Sequence, residues 1–192
     1  MARSTTPAKL STRDRVSVLM EEYRALYGLA EFRMASLDRR VPAAGAVLTT
    51  FLGGVPRVPE HTAVLLLVVI PASLIWFLRT TLNHARSFED ALRRIEAIEK
   101  AVNTLAGATL LEFQSSHPSR SVTVGGRTGT ETIGAVSLAS SLLLTAAGVL
   151  FVVGAGLSST LSAVYLVYLA SIAGYLIRLL LRFRTYRYQR RS

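Results

Sequence analysis

The residues best suited to chemistry sit at the end of the chain. The stretch "LRFRTYRYQRRS", residues 181–192, holds five arginines, three aromatics and no acid. Aromatic rings interleaved with guanidinium groups make a stacking surface for single-stranded bases, with charges for their phosphates. Arg182, Arg184, Tyr186, Arg187, Tyr188 and Arg190 are therefore candidates for binding a nucleic acid or another anion. The plainer reading is a topological anchor. Arginines beside an anionic leaflet gain roughly 1 kcal/mol each without recognising anything in particular.

A second set lies just upstream. Tyr168, Ser171, Tyr175, Arg178 and Arg182 are spaced by three and four residues, which places them on one face of a helix. Polar side chains inside an apolar segment usually face a bundle interior or a water-filled cavity. Tyr168, Ser171, Tyr175 and Arg178 are thus candidate pore-lining residues, and a path lined this way would favour anions. The plainer alternative is a belt of interfacial tyrosines with snorkelling arginines.

No residues support bond-making chemistry. The chain has no cysteine, which excludes disulfides and thiolate chemistry. His61, His84 and His117 show no metal-ligand spacing, and no G-x-S-x-G or H-E-x-x-H pattern occurs. The "GGRTGTE" at 125–131 lacks the Lys-Ser/Thr ending of a phosphate-binding loop, although it leads into a helix N-terminus, where free N–H groups favour an anion. No enzymatic activity, cofactor or metal is expected.

The elements that must carry these residues are helical and largely apolar. Residues 132–177 contain no charged side chain, and neither do residues 61–78. Uncharged apolar runs of about 18 residues or more read as membrane spans. Mixed charge near the start leaves no apolar leader segment. Ser11 and Asp14 form a capping box, followed by an amphipathic helix expected to end before Pro42. Residues 41–56 are uncharged but short: a brief span, a span borrowing its flanks, or a re-entrant segment. Gly45, Thr49 and Gly53 give it a stripe of small residues. A second span over 62–78 contains Pro71 and ends at Trp76 and Arg79. Residues 81–113 return to an amphipathic pattern, with Phe88, Ile95 and Val102 at one heptad position and Ala91, Ile98 and Leu105 at the other. Phe88, Ile95, Ile98, Val102 and Leu105 are candidates for an oligomer seam; packing on the N-terminal helix of the same chain would bury the same stripe. A Gly/Ser/Thr-rich loop spans 115–132, and "GAGLSS" at 154–159 divides the last apolar run into a hairpin.

The expected organisation is an all-α integral membrane protein with four transmembrane helices in two hairpins. It divides into a cytoplasmic helix at 1–40, a first hairpin at 41–80, a cytoplasmic helix and loop at 81–131, a second hairpin at 132–180 and a basic tail at 181–192. Basic residues concentrate in 1–40, in 79–131 and from 178 onward, whereas the connection at 56–61 carries only Arg57. The positive-inside rule then places both termini in the cytoplasm, as for a bacterial inner-membrane protein. Four short spans enclose little volume, so a conducting path requires several copies around a symmetry axis.

"EEYRALYGLAEFRMASLDRRV", a hairpin ending "LLLVVIPASLIWFLRTTLNHARSFEDALRRIEAIEK" and a later hydrophobic hairpin resemble, in their order, small bacterial membrane effectors of anti-phage defence operons, nearest the Hailong-type effector. The resemblance implies a partner nucleotidyltransferase whose short deoxyadenylate strands hold the effector closed. It also implies that the basic cytoplasmic surface, including the tail, is the strand's site. The expected function is an oligomeric channel gated through its cytoplasmic helices. The alternative is a non-conducting scaffold that recruits a cytoplasmic partner through the 81–113 helix.

Overall fold

The computed structural model describes residues 11–114, 125–154 and 159–184. These residues form α1 (Thr12–Asp38), α2 (Arg40–Gly54), a single 3-10 turn (Val55–Arg57), α3 (Glu60–Ala106), α4 (Gly126–Gly154) and α5 (Ser159–Arg184), with no strand among them.

α1 starts where its capping residues place it. The Ser11 hydroxyl accepts the Asp14 N–H at 3.1 Å and donates to the Asp14 carboxylate at 2.6 Å. The helix ends at Asp38, before Pro42 as expected. Only Arg39 separates it from α2, and Arg39 keeps right-handed helical angles (φ −67°, ψ −17°). Pro42 falls in the first turn of α2, where backbone N–H groups have no intrahelical acceptor and the missing one costs nothing.

α3 is the spine. Its 47 residues extend about 70 Å. The apolar run at 62–78 and the charged segment after it, read from sequence as two segments, are one uninterrupted helix. One buried stripe runs along both halves through Leu67, Leu74, Leu78, Ala85, Ile95 and Val102. The helix also stops earlier than expected, at Ala106 rather than near 113, because Gly107 adopts left-handed angles (φ +66°) and closes it.

Paired residues fix the direction of each neighbour. Glu22 meets Arg94, Arg33 meets His84 and Arg40 meets Thr80, so α1 and α2 run antiparallel to α3. Gly125 meets Glu89 at the start of α4, which then runs antiparallel to α3. Tyr165 meets Leu67 and Phe183 lies over Arg86, so α5 runs parallel to α3. The beginnings of α1 and α4 and the ends of α3 and α5 therefore lie on one side of the apolar layer. Ile133, Val136, Leu143, Ala147 and Phe151 of α4, with Tyr165, Leu169, Ile172 and Leu176 of α5, complete the core.

α3, α4 and α5 are long and apolar enough to cross a membrane. α2, with 15 residues, spans about 22 Å, short of the roughly 30 Å hydrocarbon layer. α4 begins at Gly126, six residues inside the expected loop. Gly125 prepares that start with φ +78°, and any Cβ on it would lie 3.2 Å from the Ala85 carbonyl oxygen. Its N–H donates to the buried Glu89 carboxylate at 3.0 Å, which fixes where the helix begins.

Candidate functional site

The polar stripe of α5 does not face the chain's own core. The buried face of α5 is Tyr165, Leu169, Ile172, Leu176 and Phe183. Ser171, Tyr175, Arg178 and Arg182 are exposed on another face, Tyr175 at 41%. Ser171 satisfies itself by donating to the Val167 carbonyl at 2.8 Å. Tyr168 differs from these: it is half-buried, and its hydroxyl donates to the Val68 carbonyl on α3. The stripe thus divides into a residue tied to α3 and others turned outward. Arg184 is the last residue of α5. Tyr186, Arg187, Tyr188 and Arg190 lie outside the described residues.

A residue the spacing did not single out anchors the stripe. Tyr165 is 5% exposed, and its hydroxyl donates to the Leu67 carbonyl at 2.7 Å. Pro71 explains the contact. A proline has no N–H, so the carbonyl four residues before it loses its helical partner, and that carbonyl belongs to Leu67. In an apolar layer such a carbonyl needs another donor, and neighbouring helices commonly supply it. The ring of Tyr165 is held by stacking on Phe151, with centroids 3.9 Å apart. The readable signal was Pro71 in one apolar run and a tyrosine in another; only the packing shows which tyrosine reaches Leu67.

The candidate seam is occupied within the chain. Phe88, Ile95, Ile98 and Val102 are 8%, 0%, 1% and 4% exposed in a single copy. Of the two ways to bury the stripe, packing within the chain is the one observed, because α1 lies antiparallel along this half of α3. Leu105 remains 36% exposed, beyond the buried part of the stripe.

Polar contacts join the same two helices. Arg94 donates to both Glu22 oxygens at 2.7 and 2.9 Å, and the bond holds the Glu22 carboxyl below its ordinary pKa. Burial, with the Glu99 charge beside it, pushes the Tyr23 phenol up. Glu99 is fully buried, and both its oxygens accept the Gln114 N–H, at 2.9 and 3.1 Å. Asn103 holds the same returning segment: its amide oxygen accepts the N–H groups of Leu110 and Leu111, and its NH2 donates to the Leu111 carbonyl at 2.8 Å. The side chains of α3 therefore template residues 110–114 by gripping their backbone. Beside this segment a cleft of about 350 Å³ opens, lined by Tyr27, Phe88, Leu92, Phe113 and the first turn of α4.

Nearer the apolar layer, Arg33 and His84 meet at 3.0 Å through Nη1 and Nδ1. A guanidinium only donates, so Nδ1 accepts and carries no proton. Burial, then the charges of Arg40 and Arg33, push the His84 pKa down. Arg40 Nη1 donates to the Thr80 and Thr81 hydroxyls at 2.9 and 3.0 Å. Among the described residues no three His, Asp or Glu come together as a metal site.

No family model matches the chain, and neither the curated proteins nor the solved structures contain a match to it.

Proposed function

We propose that this chain is the subunit of an oligomeric membrane channel, gated through the α1–α3 pair, that acts as a defence effector in a bacterial inner membrane. The outward-facing stripe of α5 carries this reading. Ser171, Tyr175 and Arg178 sit on or at the end of an apolar helix yet face away from the chain's own core. Such residues are costly against lipid and are normally turned towards protein or water. Copies arranged around an axis would give them a shared aqueous path, positive at the end where the arginines gather. α2 serves as a short fourth span beside α3 and α4, and both termini lie in the cytoplasm.

The continuity of α3 supports a gating route. A single helix joins the apolar layer to the segment paired with α1, so a ligand that shifts α1 against α3 would also shift the spans. The ligand in this reading is a short single-stranded oligonucleotide of the deoxyadenylate type made by a partner nucleotidyltransferase. Arg182 and Arg184, with Tyr186, Arg187, Tyr188 and Arg190, would hold it at the membrane surface.

The test is reconstitution of the purified chain in liposomes, with current recording and native mass spectrometry of the solubilised protein. The reading predicts a defined oligomer and a conductance that falls when a deoxyadenylate oligomer is added on the tail side. A monomer with no conductance, with or without the oligomer, would overturn it.

A further inference from the structure

Arg24, Arg93, Arg94, Lys100 and Arg127 each have a carboxylate partner within ion-pair distance. Arg33 and Arg40 have none among the described residues, although both are half-buried and both are held in place. Near-helical continuity through Arg39 and a spacing of seven residues put them on one face of α1–α2. They contact α3 one turn apart, at His84 and at Thr80–Thr81, and both charges act on the His84 ring. Each uses only Nη1 in hydrogen bonds, and the Nε of each is buried without an acceptor. His84 is an acceptor to Arg33 and adds no negative charge. Two guanidinium groups without a carboxylate partner among the described residues thus flank His84 at the edge of the apolar layer.

A groove in the apolar layer begins at the same place. It has a volume of about 140 Å³ and is lined by Ala44, Val47, Leu74, Trp76, Phe77 and Leu143. Phe77 joins the two features: it lines the groove, its carbonyl accepts Arg40 Nη1 at 3.5 Å, and the Arg40 guanidinium lies 5.6 Å from its ring centre. Ala44 is one helical turn beyond Arg40 on the groove wall.

We propose that Arg33, Arg40 and this groove form a site for one anionic phospholipid, its phosphate on the two guanidinium groups and an acyl chain between α2, α3 and α4. The charge of the pair calls for an anion, and planar guanidinium forks suit phosphate oxygens. The occupant is a lipid rather than a free phosphate because Phe77 and Ala44 connect the charged pair to an apolar groove between α2, α3 and α4. A lipid seated there would tie α2 to the spine at the point where α3 leaves the layer.

The full chain in detergent micelles, titrated with phosphatidylglycerol, phosphatidylcholine or inorganic phosphate and read by native mass spectrometry, tests this. Phosphatidylglycerol should give a retained one-lipid adduct at about a tenth of the phosphatidylcholine concentration. Arg33→Gln with Arg40→Gln should abolish that preference, whereas Arg79→Gln, which removes an exposed arginine near the same edge, should leave it intact. Because Arg40→Gln also removes contacts that hold α2, a second variant is needed. Ala44→Trp fills the groove, leaves both arginines, and should also lose the adduct. Equal retention by wild type and the Arg33/Arg40 variant would overturn the site. So would equal loss in Arg79→Gln, which would mark a diffuse surface charge. Inorganic phosphate displacing the lipid while Ala44→Trp binds normally would overturn the lipid assignment.

Discussion

Tyr165→Phe should destabilise the apolar helical bundle, and it should do so because of Pro71. The hydroxyl of Tyr165 is 2.7 Å from the Leu67 carbonyl, whose helical donor is missing at the proline. A buried backbone carbonyl left without a partner costs about 1–3 kcal/mol. Interhelical hydrogen bonds in lipid average nearer 0.6 kcal/mol and reach about 1.7, because alternative partners are usually found. Leu67 has no helical alternative, so a value near the top of that range, about 1.5 kcal/mol, is expected. Pro71→Ala restores an N–H at the right position. In that background the carbonyl keeps a partner, and Tyr165→Phe should cost close to nothing. The double-mutant cycle should therefore show a coupling of about 1–1.5 kcal/mol. It can be measured by unfolding each of the four proteins in mixed micelles of rising dodecyl sulfate fraction, with helicity as the signal. Tyr168→Phe is the internal control. Its acceptor, Val68, is followed four residues on by Ala72, which unlike Pro71 has an N–H, so its cost should be smaller and unaffected by Pro71→Ala. An equal cost for Tyr165→Phe in both backgrounds would refute the reasoning.

Three further outcomes are expected. Glu99→Ala strands the Gln114 N–H in a buried site at about 1–3 kcal/mol, so hydrogen-exchange protection at Gln114 should collapse; unchanged protection would show that the carboxylate does not hold the segment. Ile98→Asp with Val102→Asp buries charge between α1 and α3 and should cost on the order of 4 kcal/mol or more, seen as loss of helicity and protease cutting within α1; a fully folded monomer would instead return these residues to a subunit seam. His84 has its pKa pushed below the ordinary 6.5, so between the two values the unfolded chain binds more proton and stability rises with pH. Acidification below about 6.5 should therefore destabilise wild type more than His84→Gln, with the difference levelling off below the folded-state pKa; parallel stability curves for the two would contradict this.

The three helices long and apolar enough to cross a membrane were legible because an uncharged apolar run of about 18 residues or more matches the thickness of a bilayer and exceeds what a soluble core demands of one helix. The continuity of α3 through residue 80 was not read. Arg79 ends the uncharged run, but the stripe from Leu67 through Leu74, Leu78 and Ala85 to Ile95 keeps one period across it, and period, not charge, decides whether the helix continues. Glycines at 125, 126 and 129 suggest a loop, yet Glu89 fixes the Gly125 N–H from a distant helix and lets α4 start there. The α5 stripe was visible in its spacing. Its outward direction was not, because direction depends on which face the neighbours bury. The Tyr165 contact was hidden for a related reason: it joins residues 98 positions apart.

Because the chain has no cysteine, the stripe can be tested one thiol at a time. Single cysteines at Ser171, Tyr175 and Arg178, with Ile177 as a control on an exposed apolar face, can be treated with a charged methanethiosulfonate reagent while current is recorded across the reconstituted membrane. The account predicts rapid, lasting change in current at 171, 175 and 178 and none at 177. Reaction at 177 as fast as at 175, or current untouched by modification at all three stripe positions, would contradict the claim that this face of α5 lines a conducting path.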